Sequence, residues 1–76
     1  MKRFILQNSE NKEFDFVCTD TVNGIVCQFK VHKFNETQHF TLLNDIDIDE
    51  NTANFMAKCA NEMANWLSKN HAEKVF

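Results

Sequence analysis

Proline is absent from this 76-residue chain, and glycine and arginine occur once each. No stretch reads as a linker, repeat or low-complexity tract. With Gly24 the only glycine, a Gly-rich phosphate-binding loop is excluded. Arg3 as the sole arginine, in a chain of net charge −3, weighs against a nucleic-acid surface, where Arg and Lys normally supply the affinity. The three cysteines, Cys18, Cys27 and Cys59, are odd in number and form no CxxC pair. They fit reduced thiols, so a cytoplasmic location is expected. Long apolar runs are missing too. Met1-Lys2-Arg3 ahead of Phe4-Ile5-Leu6 begins like a signal peptide, but the run stops after three residues, so neither signal sequence nor membrane span is expected.

Eight phenylalanines and one tryptophan are present. Each can stabilise a core by roughly 1.5–3 kcal/mol when buried. The length suits one domain over residues 1–76, near the size at which a single core is only just sufficient.

Asn23-Gly24 between alternating apolar runs is a strong hairpin signal, because a type I′ turn needs positive φ at both central residues. That turn sets Asp20 opposite Cys27, Cys18 opposite Phe29 and Phe16 opposite Val31. One face then carries Phe14, Phe16, Cys18, Val22, Ile25, Cys27, Phe29 and Val31. The opposite face carries Asp15, Val17, Val26, Lys30, His32 and Phe34 among others, as in a half-buried antiparallel sheet.

Lys2 to Gln7 forms a further strand, with Leu6 paired to Phe14 and Phe4 to Phe16. His39 to Leu43 forms a fourth, with Val31 opposite either Phe40 or Leu42. The expected strands are therefore 2–7, 13–22, 25–34 and 39–43. Asp47 and Glu50 make a capping box for a helix over 48–69, whose buried stripe runs through Ile48, Thr52, Phe55, Met56, Cys59, Met63, Trp66 and Leu67. Val75 and Phe76 are expected to tuck against the fold. The fold class is α+β, a four-stranded antiparallel meander with one long C-terminal helix on one face, ββββα in two layers.

Catalytic chemistry finds little support. The cysteines face the core and His32 faces away from them, whereas a cysteine nucleophile needs a nearby base and some exposure. Asp45, Asp47 and Asp49 suggest a calcium loop, but the sixth and twelfth positions hold Glu50 and Met56 where Gly and Glu are required. A row of Asp15, His32 and His39 forms on the outer face in one of the two fourth-strand registers, and such a row suits a divalent metal. No cofactor is expected. The order of elements, a sheet backed by a helix, resembles that of Pur-alpha-type and whirly single-strand binders. That resemblance implies a nucleic-acid-binding sheet, for which Phe34 is the one outward aromatic.

Protein contact is the favoured reading. Ala53, Ala57, Ala60 and Ala64, extended by Leu67, form a smooth helix seam that another backbone can approach. Ile5, Val17, Lys30, Phe34 and Leu43 mark the outer sheet face as a second candidate surface. The first and fourth strands offer edges for sheet augmentation or a homodimer. A small binding protein results: an adaptor, regulator or inhibitor of a larger machine, with a composition that suits a phage or mobile-element protein.

Overall fold

The computed structural model describes residues 2–43 and 50–76. Four antiparallel strands, β1 (Phe4–Asn8), β2 (Phe16–Asp20), β3 (Ile25–Phe29) and β4 (His39–Leu42), form one sheet in the order β1-β2-β3-β4. A one-turn helix α1 (Phe34–Thr37) interrupts the meander before β4, and a long helix α2 (Glu50–Val75) follows the sheet. The α+β arrangement of four strands and a C-terminal helix is as the periodicities indicate. The expected capping residue Asp47, the stripe residue Ile48, and Asp45 and Asp49 lie outside the described residues.

Every strand register differs from expectation, and each by an even number of residues. Asp20 pairs with Ile25 and Cys18 with Cys27, a slide of two. Leu6 pairs with Cys18 and Phe4 with Asp20, a slide of four. Cys27 pairs with Phe40, so neither expected partner of Val31 is used. Even slides keep side chains on their faces, so the inner rows remain Phe4–Asp20–Ile25–Leu42 and Leu6–Cys18–Cys27–Phe40.

The β2–β3 slide has a local cause. The Asp20 carboxylate accepts hydrogen bonds from the N–H groups of Val22 and Asn23, both at 3.1 Å, and from Asn23 Nδ2 at 3.0 Å. This Asx-type capping opens a four-residue loop, Thr21 to Gly24, in place of the two-residue turn. Within this loop only Gly24 takes a positive φ, at 68°. Val22, expected in the core, is 65% exposed at the loop tip.

The β3–β4 difference arises at Lys30, where the chain leaves the sheet. The Lys30 N–H donates to Thr37 Oγ1 at 2.8 Å, and the Val31 N–H donates to Asp15 Oδ2 at 2.9 Å. His32 sits in the left-handed region at φ 60°, a sparsely populated conformation for a residue other than glycine. The excursion reverses two face assignments: Val31 is exposed and Phe34 is buried.

The core gathers Phe4, Cys18, Cys27, Phe29 and Phe34 from the sheet side with Met63, Leu67 and Val75 from α2. Cys59, Met63 and Leu67 recur at four-residue spacing, the inward stripe of the helix. Phe55, assigned to that stripe, is 47% exposed, and Phe14 lies outside β2, half-buried and stacked on His39. The helix runs past the expected end at Lys69. Non-helical angles at His71 (φ −141°, ψ 27°) bend it, and the last turn buries Val75 while the His32 N–H donates to the Lys74 carbonyl at 3.0 Å.

Candidate functional site

With α2 on the inner face, the outer face of the sheet carries two rows set by the registers. They are Ile5–Thr19–Val26–Thr41 and Gln7–Val17–Gln28–His39. None of these eight carries a formal charge with histidine neutral, in a chain where a quarter of the residues are charged. Val17, Thr19, Val26 and Gln28 are half-buried by their neighbours, and Ile5, Gln7, His39 and Thr41 are exposed. The β1–β2 loop curls toward this face, where Ser9 Oγ donates to Gln28 Oε1 at 2.8 Å. Between loop and sheet lies a hollow of about 410 Å³ with Val17, Val26 and Gln28 on its floor. The stacked Phe14–His39 pair stands at the β4 side of the same rows, with ring centroids 6.1 Å apart.

The sequence-derived site residues are distributed unevenly over this geometry. Ile5 and Val17 lie on the open face. Lys30 and Leu43 are exposed just beyond the ends of β3 and β4, and Phe34 is in the core instead of on the face. The helix seam also splits. Ala53 and Ala57 are exposed, Ala60 is half-buried, Ala64 packs against the core and Leu67 is fully buried. Leu67 is therefore core material and unavailable to a partner. Leu67 follows Cys59 and Met63 at four-residue spacing, so it belongs to the buried stripe and not to the seam.

Asp15, His32 and His39 are not aligned. His39 faces Gln28 across the ladder, His32 lies in the turn after β3, and Asp15 Oδ2 is engaged by the Val31 N–H. Among the described residues no group of three or more His, Cys, Asp or Glu side chains is placed to hold a metal ion. The burial of Phe34 also removes the outward aromatic on which the nucleic-acid resemblance drew.

Sequence reasoning missed Asp20. It shares the inward parity of Cys18 and is fully buried, yet it is ionisable. Arg3 Nε and Nη2 donate to its carboxylate at 3.2 and 3.0 Å, and Arg3 Nη1 reaches Glu62 on α2. Burial pushes the Asp20 carboxyl upward, but the hydrogen bonds from Arg3 and Asn23 outweigh this and hold it below its ordinary value. The signal for it was present as the lone arginine one strand away, on the same short sheet.

Burial pushes the Cys18 and Cys27 thiols up to about 12, and raises Cys59 as well. Thiols so placed are poor nucleophiles. Alkylation of the native protein at pH 8 is expected to be at least about a hundredfold slower than in denaturant, since reaction requires opening of the core. The unfolded thiols ionise near the ordinary value of about 8.5, whereas the folded ones stay protonated toward 12. Their contribution to stability is complete below the unfolded value and is lost as pH rises above it. Denaturation midpoints that stay level from pH 8 to 11 would contradict this.

No protein-family model matches the chain, and neither a curated protein nor a solved structure shows significant similarity to it. Among the described residues, no helix is long and apolar enough to cross a membrane.

Proposed function

We propose that this chain is a non-enzymatic protein-binding module, an adaptor, regulator or inhibitor that docks a partner on its open sheet face. The observation that carries the reading is the pair of charge-free rows, Ile5–Thr19–Val26–Thr41 and Gln7–Val17–Gln28–His39. Charged side chains are depleted at the centres of protein interfaces, and a solvated sheet face ordinarily alternates toward Lys and Glu. Val17 and Val26 at the floor of the hollow are the natural anchors, and the protonated, enclosed cysteines support a role without catalysis. A composition free of proline suits a phage or mobile-element regulator.

The test compares tagged parent protein with a Val17→Lys, Val26→Lys variant in capture from the source cells, with and without nuclease. One stoichiometric protein retained by the parent and lost by the variant, with the variant's thermal unfolding within a few degrees of the parent's, is the expected result. Equal retention by both proteins would place the contact elsewhere, and recovery abolished by nuclease would favour a nucleic-acid partner. Sedimentation of the purified parent distinguishes self-association on the same face.

A further inference from the structure

Among the described residues the outer edge of β1 pairs with no strand, and this edge and the C-terminal part of α2 flank a groove. Its wider part, about 430 Å³, is lined by Lys2, Arg3, Phe4, Trp66, Asn70 and His71. A narrower part of about 220 Å³ is lined by Leu6, Gln7, Asn8, Phe16, His71 and Lys74. His71 lines both, so the two parts adjoin at that side chain. The helix bends at His71, and beyond the bend Lys74 lies beside Leu6, Gln7 and Asn8. In the wider part the Phe4 and Trp66 rings lie 5.5 Å apart and Trp66 lies 5.1 Å from His71, giving an aromatic floor.

Backbone groups face the same space. The Thr21 N–H donates to the Arg3 carbonyl and the Ser9 N–H to the Asp15 carbonyl. With the two-residue period of an antiparallel ladder, Arg3, Ile5, Gln7 and Ser9 direct their N–H and C=O groups at β2. Those of Phe4, Leu6 and Asn8 point out of the free edge, a template for one more strand.

The charge of the groove is opposite to that of the chain. Among the described residues no carboxylate lines either part, although the net charge is −3. Arg3 is engaged by Asp20 and Glu62. Lys2 and Lys74 are the available cations, and among the described residues neither pairs with a carboxylate.

We propose that β1 accepts an extended segment of another protein as a fifth strand, one that carries a large apolar side chain and a carboxylate two positions apart. Alternate residues of a strand point to one face and lie about 6.6 Å apart, which matches the step between the two parts of the groove along Phe4, Leu6 and Asn8. The apolar side chain fills the wider part over Phe4 and Trp66, and the carboxylate sits between His71 and Lys74. Phe4, Leu6 and Asn8 supply the main-chain hydrogen bonds, the mode of β-augmentation. A second copy of β1 is a poor occupant, because its sequence Phe-Ile-Leu-Gln-Asn offers no carboxylate. This surface meets the open face proposed above only at Gln7 and Asn8, and its test does not depend on that proposal.

Trp66 is the only tryptophan, so its fluorescence reports on the groove directly. Two blocked hexapeptides serve as probes, each with phenylalanine and glutamate two positions apart in a threonine background, in either order. One of them is expected to saturate the Trp66 signal with a Kd below about 1 mM. It should also slow amide exchange at Phe4, Leu6 and Asn8. Lys74→Glu is expected to weaken it about tenfold, while Val17→Lys, Val26→Lys leaves it unchanged. Lys2→Glu gives a second exposed variant, so the result does not hang on one substitution. Absence of saturation with both peptides, equal affinity for versions with lysine in place of glutamate, or loss of binding in the Val17→Lys, Val26→Lys protein would each overturn the assignment.

Discussion

Asp20→Ala is expected to lower the stability of this protein by about 2–3 kcal/mol and its melting temperature by roughly 10–20 °C. The carboxylate is fully buried and holds three partners together: Arg3 from the start of the chain, and Val22 and Asn23 from the β2–β3 loop. Removing one member of a buried ion pair costs about 3–5 kcal/mol when its counter-charge is stranded. Arg3 keeps Glu62 and is a third exposed, so water takes up part of the loss and the lower figure applies. Glu62→Gln, at a half-exposed surface position, should cost under about 1 kcal/mol. In an Arg3→Ala background Asp20→Ala should cost less than in the parent, because no cation is left unpaired. Urea denaturation of the parent and these four variants decides the matter. An Asp20→Ala protein as stable as the parent would mean that Gly24 alone sets the loop.

The same carboxylate fixes the acid limb of the stability profile. Its folded value lies below the ordinary one, so its contribution is complete above the unfolded value, about 3.9. That contribution is lost as pH falls through the depressed folded value. Asp20→Asn keeps the shape but has no proton to gain. The gap in stability between parent and Asp20→Asn should therefore be widest near neutrality and narrow below about pH 4. A gap independent of pH would remove the ion pair from the explanation.

The faces of the sheet were legible in the sequence because alternation has a period of two and survives any even slide. Phe4, Leu6, Cys18, Cys27, Phe29 and Phe40 all face the helix as their parity requires, despite three altered registers. The registers themselves were not legible from Asn23-Gly24, because the turn is governed by a side chain outside it. Asp20 caps the loop and lengthens it. Alternation also could not reveal where a strand stops. Thr37 accepts the Lys30 N–H and donates to the Lys33 carbonyl, a contact between residues seven apart that no periodicity encodes. The open-face site was thus half legible: Ile5, Val17 and Val26 follow from parity, whereas Phe34 and Lys30 lie beyond the point where parity ceases to apply. The groove along β1 was invisible, since it depends on the bend at His71, which brings Lys74 beside β1.

Phe34→Ala tests that boundary, with an expected loss of about 3–4 kcal/mol. On the alternating pattern Phe34 is a surface residue, for which truncation changes stability by about 0.5 kcal/mol or less. In the structure it is 2% exposed, its ring edge-on to Phe29 at 5.0 Å and to Phe76 at 5.6 Å. Phe29 in turn meets Phe16 at 5.8 Å, so Phe34 closes a chain of four rings that joins β2 and β3 to the end of α2. Val22→Ala and Val31→Ala supply the converse, since alternation puts both in the core and the structure exposes both. Each should cost within about 0.5 kcal/mol. Phe76→Ala should cost about 1 kcal/mol, and part of that loss should vanish when Phe34 is already alanine, as coupling between touching rings requires. If Val31→Ala is the damaging change and Phe34→Ala is silent, β3 continues through residue 34 and the α1 turn is not formed. A loss at Phe34 with additive behaviour at Phe76 would keep the turn but detach the last helical residues from it. The coupling between Phe34 and Phe76 therefore reports on the packing of the chain's last turn, which the His71 bend turns back against the sheet.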